Sequence, residues 1–195
     1  MSEAGAELQV RVAVIYYSAT GNVRGMARAV AEGAEGEGAE VRLRPVAQIE
    51  DLEWADGLAF GTPTRFGNVA AQLKVFLDLA GELWQQGKLI DKVATSFTSS
   101  QTSHGGQEST ILALNNTLYH WGAIVLPLGY TVHEVFNGGG NPYGASFTSG
   151  HSVDGPDEET RLVARAQGAR LARVARAIRA ARESGLLPAG KTALN

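Results

Sequence analysis

The feature that most constrains this chain is an alternation. A β-branched and aromatic run, a polar loop and a stretch of helical periodicity follow one another five times, with variations. The first run, residues 10–17 (VRVAVIYY), is of the type buried on both faces of a parallel sheet. It stops at the polar segment 18–22, and from Val23 onward Met26, Ala27 and Val30 recur at helical spacing until the glycine-rich stretch 33–38 ends the helix as a turn. Residues 41–44 alternate as a second strand closed by Pro45, and 56–60 form a third that ends at 61–63. Asn68 is placed to cap a helix carrying Leu73, Phe76, Leu77 and Leu79. A fourth strand at 92–97 precedes a helix over 107–121, a fifth strand spans 123–128, and a last helix covers 157–184. Acidic residues open that helix and Leu171, Val174 and Ile178 form its stripe, so its many arginines read as a solvated face.

Five β-then-α units predict an α/β fold with a doubly wound five-stranded parallel sheet and helices on both faces, joined by right-handed crossovers. The expected domain covers 10–184, with tails at 1–9 and 185–195 and an insertion at about 129–155 that includes the run 137–144 (NGGGNPYG). A structureless stretch of that length is usually functional or contacts another subunit.

Composition narrows the chemistry. The chain has no cysteine, which excludes disulfides, thiolate metal sites, Cys-ligated iron–sulfur clusters and cysteine nucleophiles, so any redox function requires a bound cofactor. His104, His133 and His151 show no metal-ligand spacing, and no metal is expected. A net charge of −3 without a basic patch argues against a nucleic-acid partner. No stretch approaches a membrane span, and the first ten residues lack a basic start and an apolar run, so the expectation is a cytoplasmic protein. The 24 glycines exceed average usage, which makes their placement informative.

In an open parallel sheet, ligands bind beyond the carboxyl ends of the strands where strand order reverses. Three polar loops occupy that edge. The first, Ser18-Ala19-Thr20-Gly21-Asn22, meets a helix N-terminus, where free N–H groups and the dipole favour phosphate. It has neither the lysine of the nucleoside-triphosphate loop nor the three-glycine dinucleotide pattern, so a monophosphate fits better. The second, Pro63-Thr64-Arg65-Phe66-Gly67-Asn68, sets a cation and an aromatic at the end of strand three. The third runs through Ser99, Ser100, Gln101, Thr102, Ser103, His104 and Gly105, and nine of the 16 residues 95–110 are Ser or Thr. That density suits polar contacts to a heterocycle and its ribityl chain, and the three loops together point to flavin mononucleotide (FMN).

These loops carry a family resemblance. YYSATGNV (16–23), GTPTRFGN (61–68), the Leu83-Trp84 pair, SSQTSHGGQE (99–108) and NPYGAS (141–146) together resemble the WrbA family of flavodoxin-like NAD(P)H:quinone oxidoreductases over about residues 10–180. The resemblance implies FMN as cofactor, NADH or NADPH as reductant, a quinone as acceptor, and a homotetramer whose neighbouring subunits complete each site. It implies a phosphate loop at Ser18, Ala19, Thr20, Gly21, Asn22 and Val23. The ring-facing loop falls on Thr64, Arg65 and Phe66, flanked by Pro63 and Gly67, and the third flavin loop on Ser99 to Gly105. His120 matches the family histidine near the ring, Trp84 an aromatic over the substrate pocket, and Thr20 a contact to the nicotinamide nucleotide, with Phe66 as a second wall for the substrate. Thr20 stands where family members often carry an aromatic. The implied reaction is ping-pong, hydride passing from NAD(P)H through FMN to the quinone.

Some of these residues keep a second reading. Arg65 either stabilises negative charge on the flavin or is a surface arginine; Trp84 either walls the pocket or packs a core or subunit contact. His120 is read as positioning the site or as a proton donor. Beside the enzyme stand a flavodoxin-type electron carrier without a substrate pocket and a non-enzymatic interaction protein.

Overall fold

The structure is a computed structural model that describes residues 8–46, 48–151 and 155–191. Residues 1–7 and 192–195 of the two expected tails, and residues 152–154 of the expected insertion, lie outside the described residues. The elements in chain order are β1 (Arg11–Tyr16), α1 (Asn22–Gly36), β2 (Glu40–Pro45), α2 (Glu50–Trp54), β3 (Gly57–Arg65), β4 (Asn68–Val69), α3 (Ala71–Asp78), α4 (Gly81–Gln85), β5 (Val93–Ser100), α5 (Gln107–His120), β6 (Ile124–Val125), α6 (Glu134–Asn137), β7 (Ser146–Thr148) and α7 (Glu158–Glu183).

The sheet runs β2-β1-β3-β5-β6, all parallel, so its order reverses between β1 and β3. Alternation along β1 divides the core in two. Val12, Val14 and Tyr16 face α1 and α7 through Val23, Met26, Val30 and Leu171. Ala13 and Ile15 face the other side, where Leu52, Leu73, Phe76, Leu114 and Trp121 come from α2, α3, α5 and the turn after α5. The doubly wound α/β fold with helices on both faces is thus present.

Four local expectations change. The fifth strand is split: after Leu126 N–H donates to Ala94 O at 2.7 Å, Pro127 has no N–H to continue the ladder, and the chain leaves until β7 pairs with the upper half of β5. Its return is fixed by Gln167, buried in α7, whose Oε1 accepts from Ala145 N–H at 2.8 Å while Nε2 donates to Thr95 Oγ1 at 2.6 Å and Ser96 O at 2.8 Å. Asn68 is not a helix cap but the first residue of β4, an antiparallel return on β3, and Leu79 is exposed beyond the end of α3.

Gly33 is a helix-contact residue rather than a turn. A Cβ there would lie 1.9 Å from Arg165 O, and one on Gly168 would lie 1.9 Å from Val30 O, so α1 and α7 touch backbone to backbone at both places. The arginines of α7 are not one solvated face: Arg165 reaches Glu32, Arg173 reaches Glu37, Arg179 reaches Asp56 and Gln9 O, and Arg182 reaches Ile90 O. Each exposed pair contributes little singly, but together they tie α7 to its neighbours. No helix among the described residues is long and apolar enough to cross a membrane.

Candidate cofactor site at the switch point of the sheet

The reversal between β1 and β3 leaves room above their carboxyl ends, and β5 supplies the third wall. A cavity of about 520 Å³ opens there, bringing together Ala19, Thr20 and Asn22 of the first loop, Pro63, Thr64, Arg65 and Phe66 of the second, and Ser99, Ser100, Gln101, Thr102 and Gly105 of the third.

At the first loop, Gly21 has φ +96°, a left-handed conformation suited to glycine, and precedes α1. Its N–H donates to Ser18 Oγ at 3.1 Å, which folds the loop over the helix start. Asn22 is 4% exposed and its Oδ1 has no hydrogen-bond partner among the described residues. A buried amide left unpaired beside the helix start is costly unless a ligand satisfies the group. That oxygen only accepts, so it calls for a hydroxyl of the ligand, while the helix N–H groups and the Ser18 and Thr20 hydroxyls are the donors that fit a phosphate ester. Val23 packs into the core, so only its backbone is available.

The second loop is a hairpin. Thr64 pairs with Val69 and Arg65 with Asn68, leaving Phe66 and Gly67 as a two-residue turn with φ +52° and +73°. Two positive φ values define the mirror-image type I turn that matches strand twist and that Asn-Gly usually occupies. Phe66 is fully exposed at its tip. Gly67 lies against the third loop, because a Cβ on Gly106 would sit 2.8 Å from Gly67 Cα.

The Ser/Thr-rich run is mostly scaffold. Six of its nine hydroxyls, those of Thr95, Ser96, Thr98, Ser100, Ser109 and Thr110, are engaged with protein groups, which leaves Ser99, Thr102 and Ser103. Ser103 and His104 are exposed and do not line the cavity.

Three lining residues were not identified from sequence. Ser149, Gly150 and His151 follow β7 and complete the wall, pinned by Ser149 N–H to Ser100 O at 2.9 Å and Gly150 N–H to Gln101 O at 3.0 Å. Their only sequence signal is their place in the expected insertion.

Trp84 and His120 are not brought to this cavity. Both lie at the opposite edge of the sheet: α5 starts beside the third loop and its 14 residues carry His120 about 20 Å away, where Gly122 O accepts from Asp91 N–H ahead of β5. Trp84 joins His120 there through a hydrogen bond to its carbonyl. Neither the 520 Å³ cavity nor the cleft beside it is lined by a carboxylate, and Arg24 and Arg65 at their rims have no ionic partner among the described residues. No group of three or more His, Asp or Glu among the described residues could hold a metal ion.

Comparison with known proteins adds to this geometry. Residues 44–137 match the family model described as NADPH-dependent FMN reductase. A protein of Sinorhizobium fredii named NAD(P)H dehydrogenase (quinone) is 44% identical over 194 residues, 85% of this chain and 96% of the relative. One of the same name from Deinococcus radiodurans is 41% identical over 167 residues, covering 72% of this chain and 84% of its own. Among solved structures, the flavodoxin, WrbA-like protein from Agrobacterium tumefaciens superposes with a TM-score of 0.71 at 29% identity, over 87% of this chain and 99% of that one. Two-electron reduced Megasphaera elsdenii flavodoxin shares the fold at a TM-score of 0.56 and 20% identity, over 80% of this chain and 98% of that one.

Proposed function

The chain belongs to the NAD(P)H dehydrogenase (quinone) family, and we propose that it is an FMN-dependent NAD(P)H:quinone oxidoreductase in which reductant and acceptor use one cleft in turn. The observation that carries the reading is the cavity itself: three polar loops meet over the switch point, the first of them at the start of α1, and in its wall the buried Asn22 amide oxygen has no partner among the described residues, an acceptor open to a ligand hydroxyl. FMN, when bound, supplies two-electron redox chemistry between a nicotinamide and a quinone.

The chain's own residues bind, orient and shield. The start of α1, with its free N–H groups and the Ser18 and Thr20 hydroxyls, would hold the phosphate, Gly21 would allow the backbone to approach it, and the Asn22 amide oxygen would accept from a ligand hydroxyl. Arg65, which lines the cavity, would supply a cation that favours negative charge on a bound flavin. Phe66 stands at the hairpin tip as a wall for a flat acceptor, and residues 149–151 close the far side against water. With no cysteine in the chain and no metal ligand set among the described residues, the protein's contribution is position and electrostatics.

The pocket is completed in a homotetramer that brings the Trp84–His120 edge of a neighbouring copy over the cavity. Support comes from the separation of that edge from its own cavity and from exposed Val75, Leu79, Trp84, Leu112 and Tyr119 on one face of the sheet, an apolar surface of the kind subunits cover. His120 is then a positioning residue. A reductant drawn from the NAD(P)H pool supports a cytoplasmic location.

The test loads purified protein with FMN, measures steady-state rates with NADH and NADPH against a panel of quinones, and determines the mass in solution by sedimentation. Parallel double-reciprocal lines and a tetramer are expected. Failure to take up FMN, or flavin-loaded protein that neither nucleotide reduces, overturns the reading; reduction without transfer to any quinone makes the chain a carrier.

A further inference from the structure

A second cleft, of about 720 Å³, adjoins the cofactor cavity and shares Ala19 and Thr20 with it. It lies on the other side of the first loop. Tyr17, Pro45 and Val46 give it an apolar floor, and Ser18, Thr20, Arg24 and Gln72 a polar rim.

Its charge is one-sided. Arg24 sits in the first turn of α1 with its guanidinium turned back over the loop, Nη2 lying 3.6 Å from where a Cβ on Gly21 would stand. It makes no ion pair or hydrogen bond among the described residues, while the arginines of β2 and most of those on α7 are paired. Among the described residues no Asp or Glu lines the cleft. In dinucleotide sites a carboxylate accepts from the free ribose 2′-hydroxyl of NADH, and an arginine accommodates the 2′-phosphate of NADPH. A cleft that has the arginine and lacks the carboxylate is built for the phosphorylated form.

We infer that this cleft takes the adenosine half of the reductant, that Arg24 binds its 2′-phosphate, and that the protein therefore prefers NADPH to NADH. The inference rests on the oxidoreductase reading above. The two clefts share Ala19 and Thr20, so a dinucleotide laid across the first loop would set its adenine over Tyr17 and Val46 and its nicotinamide end toward the flavin cavity. Arg24 lines the outer cleft and not the inner one, so its guanidinium belongs to the reductant's side of the loop rather than to the flavin cavity.

The experiment uses FMN-loaded protein and two probes that differ by the 2′-phosphate, adenosine 2′,5′-bisphosphate and adenosine 5′-monophosphate, titrated calorimetrically. The bisphosphate is expected to bind about ten- to a hundredfold tighter, the worth of a charge-assisted hydrogen bond. Arg24→Gln closes that gap, Arg24→Lys restores part of it, and Arg28→Gln, one turn further along the exposed face of α1, leaves it open. The ratio of kcat/KM for NADPH over NADH falls with the Arg24→Gln gap. Equal binding of the two probes, a gap that survives Arg24→Gln, or equal closure by Arg28→Gln overturns the inference. Flavin uptake, read by absorbance before titration, separates the two readings. Its failure sinks the oxidoreductase reading, whereas normal uptake and quinone reduction without a 2′-phosphate gap sinks this one alone.

Discussion

The indole N–H of Trp84 donates to the carbonyl oxygen of His120 at 2.8 Å, joining α4 to the end of α5 across 36 residues of sequence. The resemblance to the WrbA family implies a place near the flavin ring for His120 and over the substrate pocket for Trp84, yet within one chain the two meet at the edge of the sheet opposite the cavity. A half-exposed tryptophan with its polar end already satisfied presents its ring face to whatever covers it.

Trp84→Ala is therefore expected to raise the KM for quinone about tenfold, the cost of truncating an aromatic anchor, while the FMN dissociation constant stays within about twofold. Flavin fluorescence titration and steady-state kinetics measure the two quantities separately. Loss of FMN affinity in step with quinone turnover would place Trp84 at the flavin of its own subunit and contradict assembly across copies.

How far the sequence reveals this arrangement depends on whether a residue acts locally or at a distance. Residues 10–17 disclose β1 because burial on both faces leaves a continuous apolar run, and Asp157 opens α7 because its side chain accepts from Thr160 N–H at 2.8 Å, a contact within one turn. The three loops are legible for the same reason: each abuts its own strand. The split fifth strand is hidden because residues 146–148 pair with β5 through long-range contacts anchored by Gln167, 22 residues from Ala145. Asn68 misleads because a capping residue and a hairpin residue have the same composition, and only the left-handed turn at Phe66 and Gly67 decides between them. The arginines of α7 read as solvated because their partners, Glu32, Glu37 and Asp56, are more than a hundred positions away in sequence.

Gly33 and Gly168 make the next prediction. A methyl group at either would stand 1.9 Å from a carbonyl oxygen of the opposing helix, so α1 and α7 must separate to admit it. Overpacking of this kind costs about 1–3 kcal/mol, against about 1 kcal/mol gained from replacing glycine by alanine in a helix. Gly33→Ala or Gly168→Ala is expected to lower Tm by roughly 5 °C. Gly36→Ala, where nothing lies within 4 Å, is expected to leave Tm unchanged or raise it slightly. A calorimetric scan in which all three variants behave alike would show that the contact does not decide helix packing.

Lys92 makes stability depend on alkaline pH. Burial lowers its ammonium from 10.5 to about 8, offset in part by Asp56, although Nζ donates to Glu53 O at 3.0 Å and to Ala55 O. Between those values the unfolded chain holds a proton that the folded chain has released, so the unfolding free energy rises with pH across that window. The penalty is fully present below about pH 8 and fades toward 10.5, with a total of about 3 kcal/mol. Urea unfolding at pH 7.5 and 9.5 measures the rise, and Lys92→Met is expected to flatten it even though the variant loses two hydrogen bonds. An unchanged pH slope in that variant would assign the effect to other groups.

Phe66 ties backbone strain to function. It occupies a left-handed turn position at φ +52°, where asparagine or glycine sits without penalty, and its ring is fully exposed, so packing within the subunit does not repay the cost. Strain held at the rim of a binding cavity is retained for what the side chain touches there. Phe66→Asn is accordingly expected to stabilise the protein by about 1 kcal/mol, raising Tm by roughly 3 °C, because the Asn-Gly pair relaxes the hairpin. The same variant is expected to lose about tenfold in kcat/KM for quinone while FMN remains bound, since the wall for the flat acceptor has gone. A variant that gains stability and keeps full quinone activity would make Phe66 an unneeded strain and remove it from the substrate pocket.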